Sequence, residues 1–409
     1  MSYKYINELL NLPEIQIVNI ETNENHARIE VTPIDHTQDC PYCHSTSVHR
    51  NGIPYKRDVR HLAAFGRTVH LSIPAICLAC KNCGSTFTWE YSFVEPKKRY
   101  TKAFSAYLAS RTYGTTVTQT SMEEQVPYST MERIFKGDLR RKSEEVHEKA
   151  YQEAVERKNL VLGIDDFAIR KGHTYNTGLH DLKGGRFLDI ISGRTGEELQ
   201  DYATNHTMFK LLNPVAVVMD LAKAYHTFCK EWFPEAIRIA DRFHVNRYVT
   251  EALQDVRRLV QKDLSSQARK QLKSKSRLLN KRADDLTEEE CRIVQECLGY
   301  DVRLATTYNW KENFITWYDC APNAKIARVW FERWYKEGKS MELDVVNECL
   351  KTMANWKEEI INYHRLRYTN AAVEGRNNRI KALQRRLYFT RNQAIYKERI
   401  IVECNRELA

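Results

Sequence analysis

The chain has 409 residues, 42% of them hydrophobic, with a formal charge of +10 and a pI near 8.9. That length exceeds one ordinary core, so two or more domains are expected, and the basic balance favours a polyanionic partner while saying nothing about fold. No stretch approaches the roughly 18 apolar residues of a membrane span, Met1 to Asn11 lacks a signal-peptide core, and eleven cysteines suit reduced thiols and metal ligands better than disulfides, so a cytoplasmic protein is expected.

Cys40-Pro41-Tyr42-Cys43 and Cys80-Lys81-Asn82-Cys83 form two Cys-x-x-Cys knuckles, separated by strand-like alternation over Thr68 to Ile76. Tetrahedral zinc takes four thiolates, and a two-residue spacer turns both sulfurs of a knuckle toward one ion. The paired motif predicts a structural Zn2+ on Cys40, Cys43, Cys80 and Cys83, in a zinc ribbon with little core of its own. Cys77 with Cys80 is a competing knuckle; Asn82 and Gly84 suit the tight turn and favour Cys80 with Cys83.

Helical spacing over Thr101 to Tyr113, closed by Gly114, precedes a short helix at Thr118 to Gln125 and a break at Val126-Pro127-Tyr128. Ser129-Thr130-Met131-Glu132 has capping-box form and predicts another helix from Thr130 to about Arg141. Two short helices across a tight turn describe a helix-turn-helix. The second would present Thr130, Arg133, Lys136 and Arg140 to phosphates and base edges of a major groove.

Strands are predicted over Leu160 to Asp165, Thr174 to Leu182 and Arg186 to Ile191, with turns at Lys171-Gly172 and Lys183-Gly184-Gly185. A helix at Gly196 to Thr204, a strand at Val215 to Asp220, a helix at Leu221 to Trp232 and a short strand at Ile237 to Asp241 follow. A three-strand meander followed by alternating helix and strand is the order of a ribonuclease H-like core. In that layout Asp165 and Asp220 end neighbouring strands, whereas alternation turns Asp166 to the opposite face. A carboxylate ending a buried strand is costly unless its charge is offset, and divalent metal offsets it. Asp241 is placed to cap the next helix, and His244 stands near that helix's start.

From Arg247 to about Trp356 the pattern is wholly helical. Its first part is crowded with basic residues suited to a phosphate backbone, and Trp310, Trp317, Trp330 and Trp334 are expected to form its own core. Asn370 then precedes a helix on which Glu374, Asn377, Asn378 and Lys381 share a face. Asp165, Asp220 and Glu374 are therefore the expected ligands of two divalent ions about 4 Å apart. Asn377 and His244 are expected to support them from behind, and Asn378, Lys381 and Arg385 to hold DNA.

These readings describe a multidomain α/β protein: a zinc-binding segment (1–95), a helix-turn-helix (96–150), a ribonuclease H-like core (155–248 and 361–409) and an all-helical insertion (249–360). With Gly163-Ile164-Asp165-Asp166-Phe167-Ala168, Val218-Met219-Asp220, Asp241-Arg242-Phe243-His244-Val245 and Asn370 through Lys381 in place, the chain resembles bacterial insertion-sequence transposases of the DDE type with an N-terminal zinc finger. The resemblance spans nearly the whole chain and puts the family's two aspartates and glutamate on Asp165, Asp220 and Glu374. It implies two Mg2+ or Mn2+ ions, double-stranded DNA of element ends and target, hydrolysis followed by strand joining, and a homodimer or larger assembly. Two departures stand out: Asp166 where relatives usually carry Glu, and the extra Cys77.

Overall fold

The computed structural model describes residues 8–35, 37–170, 174–387 and 392–408, so the turn expected at Lys171-Gly172 lies outside the described residues. The chain divides into two compact units, Met1–Arg141 and Lys142–Ala409.

In the first unit, strands β1 (Ile15–Thr22), β2 (His26–Pro33), β4 (Tyr55–Ala64) and β5 (Arg67–Ala75) form a sheet of order β1-β2-β5-β4, in which β2 and β5 run parallel. Strands β3 (Val48–Arg50), β6 (Cys77–Cys80) and β7 (Thr86–Thr88) make a small second sheet. Ile15, Val31, Val59, Leu71, Ile73 and Leu78 are buried in one shared core. The expectation of a metal segment with little core is thus corrected. The knuckles flank the small β3-β6-β7 sheet, which shares its core with a larger sheet whose strands β1, β2 and β4 carry polar and charged outward faces that dilute the apolar signal.

Helices α1 (Lys102–Tyr113) and α2 (Val117–Glu123) are capped by Thr101 and Thr116, each accepting a backbone N–H three residues on. Helix α3 covers Tyr128–Glu156, well past the predicted end at Arg141. Its buried positions Met131, Phe135, Leu139, Val146, Ala150 and Ala154 keep one helical stripe through a charged stretch. The capping box expected at Ser129 is absent. The Pro127 carbonyl accepts from the Thr130 and Met131 amides, which starts the helix one residue before Ser129.

In the second unit, β8 (Val161–Arg170), β9 (Thr174–Asp181) and β10 (Arg186–Ser192) form an antiparallel meander. Strands β11 (Ala216–Met219) and β12 (Ile237–Ala240) extend it in parallel, giving the order β10-β9-β8-β11-β12. Alternation distributes the side chains between two cores. Leu160, Leu162, Ile164, Val217 and Met219 pack with α4 (Gly196–Asn205), α5 (Lys223–Trp232) and the end of α3. Val161, Ala216, Val218 and Ile239 face the other way, into a helical layer.

That layer comprises α6 (Arg242–Asp263), α7 (Ser266–Ser274), α8 (Glu288–Leu298), α9 (Val302–Cys320), α10 (Ala324–Ser340), α11 (Asp344–Asn355) and α12 (Lys357–Leu366). Its tryptophans do not form a separate core; Trp310, Trp317 and Trp334 belong to the same buried cluster as the sheet face, with Trp330 packed against it. The Trp310 and Trp334 rings stack at 4.6 Å, and each indole N–H donates to the other's carbonyl at 3.2 and 3.1 Å. Truncating either would cost about 3–5 kcal/mol. Helices α13 (Ala371–Arg386) and α14 (Gln393–Cys404) cover Phe167, Phe187 and Ile190 at the far part of the sheet.

Among the described residues, no helix is long and apolar enough to cross a membrane.

Candidate functional site

Strand β11 stops at Met219, paired with Ile164, whereas β8 continues against β9 as far as Arg170. Asp165 is therefore not the last residue of its strand but the first beyond its parallel neighbour, and Asp220 leaves β11 at the same level. Carboxylate oxygens of Asp165, Asp166 and Asp220 all lie within 4.8 Å of one another. Asp166 joins this group despite the alternation expected to turn it away. Past Met219 there is no strand on that side of β8, so its side chain has room to reach the same edge.

Glu374 enters on the first turn of α13 and lines one cavity of about 540 Å³ with Asp165, Asp166, His244, Asn377 and Lys381. Its carboxylate stands outside the group of oxygens within 4.8 Å of one another. Asn377, buried, donates from Nδ2 to Asp165 Oδ2 at 2.7 Å. Asn378 and Arg385 are exposed on the same helix and do not line the cavity. The approach of α13 to β8 depends on Gly163. A Cβ there would lie 2.7 Å from Leu182 Cδ2 and 3.0 Å from both Asn370 Oδ1 and Val373 Cγ2.

Asp241 organises what surrounds the acids. It caps α6, accepting from the Phe243 and His244 amides at 3.1 and 3.4 Å, and its other oxygen accepts from the Asn370 amide at 3.0 Å. Sequence reasoning found the cap but missed this tie to the Glu374 helix, because the two partners are 129 residues apart. His244 Nδ1 lies 3.2 Å from Asp241 Oδ2, in hydrogen-bond geometry, and 2.8 Å from Asp220 Oδ1, a close ionic contact without that alignment. Burial alone would lower the His244 pKa, but the two carboxylates outweigh it and raise it to about 10. Arg194, whose guanidinium lies over the Tyr175 ring, pairs with Asp166 at 2.8 Å.

Burial first, then the Asp220 charge, push the Asp165 carboxyl up to about 8; burial likewise raises Asp220. Among the described residues, Asp220 Oδ1, Asn370 Oδ1 and Asn377 Oδ1 are buried acceptors without a hydrogen-bond donor. Converging hard oxygens with raised proton affinity and unmet acceptors fit divalent cations of the Mg2+ or Mn2+ type.

The second candidate centre is in the first unit. The sulfurs of Cys40, Cys43, Cys80 and Cys83 lie within 4.8 Å of one another, whereas the exposed Cys77 lies outside the group. Hydrogen bonds from the Ser85 side chain and backbone lower the Cys83 thiol to about 6, favouring the thiolate. Four sulfurs at this spacing suit a closed tetrahedral zinc site.

The basic candidates divide. On α3, Thr130 is half-buried, Arg133 and Arg140 are exposed, and Lys136 pairs with Glu132 at 2.9 Å. In the helical layer, Arg257 is buried between Gln254 and Gln261, which removes it from the expected phosphate track; Arg282 pairs with Asp319 but stays partly exposed, and Lys262, Lys270, Lys273 and Arg277 are exposed.

A family model described as transposase, of the ISL3 group of DDE transposases, matches residues 162–400. A transposase for insertion sequence element IS1001 from Bordetella parapertussis is 26% identical over 367 residues, covering 87% of this chain and 84% of that protein.

Proposed function

The chain belongs to this transposase family, and on that premise we propose that it binds the ends of an insertion sequence, hydrolyses the phosphodiester there and joins the freed 3'-hydroxyl to other DNA. The observation that carries the reading is the meeting of Asp165, Asp166 and Asp220 at one sheet edge, with Glu374 on the wall of the cavity that Asp165 and Asp166 line. The strand order β10-β9-β8-β11-β12 supports a ribonuclease H-like core, the three helices α1 to α3 support a helix-turn-helix, and the four-cysteine group supports a zinc ribbon. The five-part division at 95, 150, 248 and 360 belongs to the same proposal.

Asp165, Asp220 and Glu374 would hold the divalent pair, with Asp166 as a further carboxylate at the edge. Bound there, two such ions supply a nucleophilic oxygen at neutral pH and charge stabilisation at the leaving oxygen. The protein's own groups do the positioning. Asn377 fixes Asp165, His244 compensates Asp220, and Lys381 on the cavity wall offers a cation to the phosphate. Arg133, Lys136, Arg140, Asn378 and Arg385 are proposed DNA contacts, with Thr130 at the reading face of α3. Work on two element ends calls for a homodimer or larger assembly.

The test is cleavage of labelled element-end DNA by the full chain in Mg2+ or Mn2+, with and without target DNA. Nicking at the ends followed by joined product supports the proposal. Cleavage without any joining would make the protein a nuclease, and binding without cleavage would make it a DNA-binding regulator.

A further inference from the structure

The first unit carries a cleft of about 840 Å³ that the reading above leaves unused. One wall is aromatic: Tyr42, in the first cysteine knuckle, and Tyr55, at the start of β4, are 68% and 70% exposed. Large rings left in water on the lining of a cleft invite a flat or apolar partner surface. Four cations line the same cleft: Arg57 on β4 and the run Lys97-Lys98-Arg99 just before α1. Among the described residues, Arg57 donates one hydrogen bond, to the Lys98 carbonyl at 3.4 Å. The acids in the lining are Glu90 and Asp58, and Asp58 is already paired with Arg28 at 3.1 Å.

Trp89, 6% exposed, backs the same lining with its ring.

We propose that this cleft is a DNA-contact surface that grips the phosphodiester backbone of a duplex beside the four-cysteine site. Phosphate oxygens meet Arg57 and the Lys97-to-Arg99 run, while the two tyrosines lie against sugars and groove edges. The proposal rests on the reading of the chain as a DNA transposase and adds a place of contact outside both the Asp165 cavity and the Thr130 face of α3. Because backbone contacts carry no sequence information, the surface contributes equally to any duplex.

The experiment uses the full chain with Asp165→Asn, so that DNA is not consumed, and measures binding to an element-end duplex and to an unrelated duplex over a range of salt. Replacing Lys97, Lys98 and Arg99 together by Ala should weaken both complexes at least about tenfold and flatten the slope of log K against log salt by about 2 to 3. Zinc content and melting temperature equal to the parent's confirm that the fold is retained. Unchanged affinity and slope in a folded triple variant overturn the cleft and leave the transposase reading standing. A parent that binds no duplex overturns both. With a single strand of the same sequence measured alongside, loss of binding to that strand alone in the triple variant overturns the duplex assignment.

Discussion

The two groups of converging ligand atoms are built in opposite ways. The four cysteines come from two short knuckles, meet completely, and have a Cys83 thiol held low enough to ionise at neutral pH. The acids come from segments more than two hundred residues apart, only part of the set is gathered, and Asp165 is held at about 8. A structural metal site gains from being closed and finished before anything binds; a site that must admit a reacting phosphate gains from an open position and a ligand still to arrive. On the proposed function, the difference separates a site that would hold the protein together from one that would react.

The contrast breaks most sharply at the aspartates. Asp165→Asn or Asp220→Asn should lower strand cleavage by about a thousandfold or more while element-end binding persists. Substantial cleavage by either variant in a gel assay with Mg2+ would place the chemistry elsewhere.

Zinc removal should act on the other centre. Chelation, or Cys80→Ala, should expose the β3-β6-β7 sheet to protease while the β1-β2-β5-β4 sheet, with its own buried Ile15, Val31 and Leu71, stays protected. Equal loss of protection over both sheets would show that the metal organises the entire unit.

Gly163→Ala sharpens the comparison from within the second unit. The added methyl meets Leu182, Asn370 and Val373, so stability should fall by about 1–3 kcal/mol, and cleavage should fall more than DNA binding because α13 carries Glu374. A melting curve and cleavage rate like the parent's would show that α13 is not seated through this glycine.

A pH effect is the smallest expected. With its folded pKa raised to about 8, Asp165 holds a proton more tightly in the folded than in the unfolded chain. The metal-free fold has this advantage below the ordinary carboxylate range and loses it as pH climbs toward 8. Stabilisation by Mn2+, which displaces the proton, should accordingly grow between pH 6 and 9. Melting temperatures with and without the ion would reveal it, and a constant difference would contradict the raised value.

Much of this was legible in the sequence because local chemistry announces itself. Doubled Cys-x-x-Cys spacing, an apolar run halted by Asp, and a cap three residues before His244 each need only a few neighbouring residues to be recognised. The misses are of two kinds. Strands β1, β2 and β4 are half exposed, and their charged faces mask the alternation. The bonds from Asn370 to Asp241 and the close seat of α13 on Gly163 depend on which segments meet, which no local pattern encodes. The length of α3 was recoverable, since its apolar stripe continues through the charged stretch after Arg141.

Asp241 has a mechanical consequence. Receiving the opening amides of α6 with one oxygen and that of Asn370 with the other, it clamps the starts of two helices together at the mouth of the cavity. With Asn377 on Asp165 and Val373 against Gly163, the tie fixes where Glu374 stands relative to the sheet. Loss of the acceptor, as in Asp241→Ala, should register first as faster hydrogen exchange at the Asn370 amide.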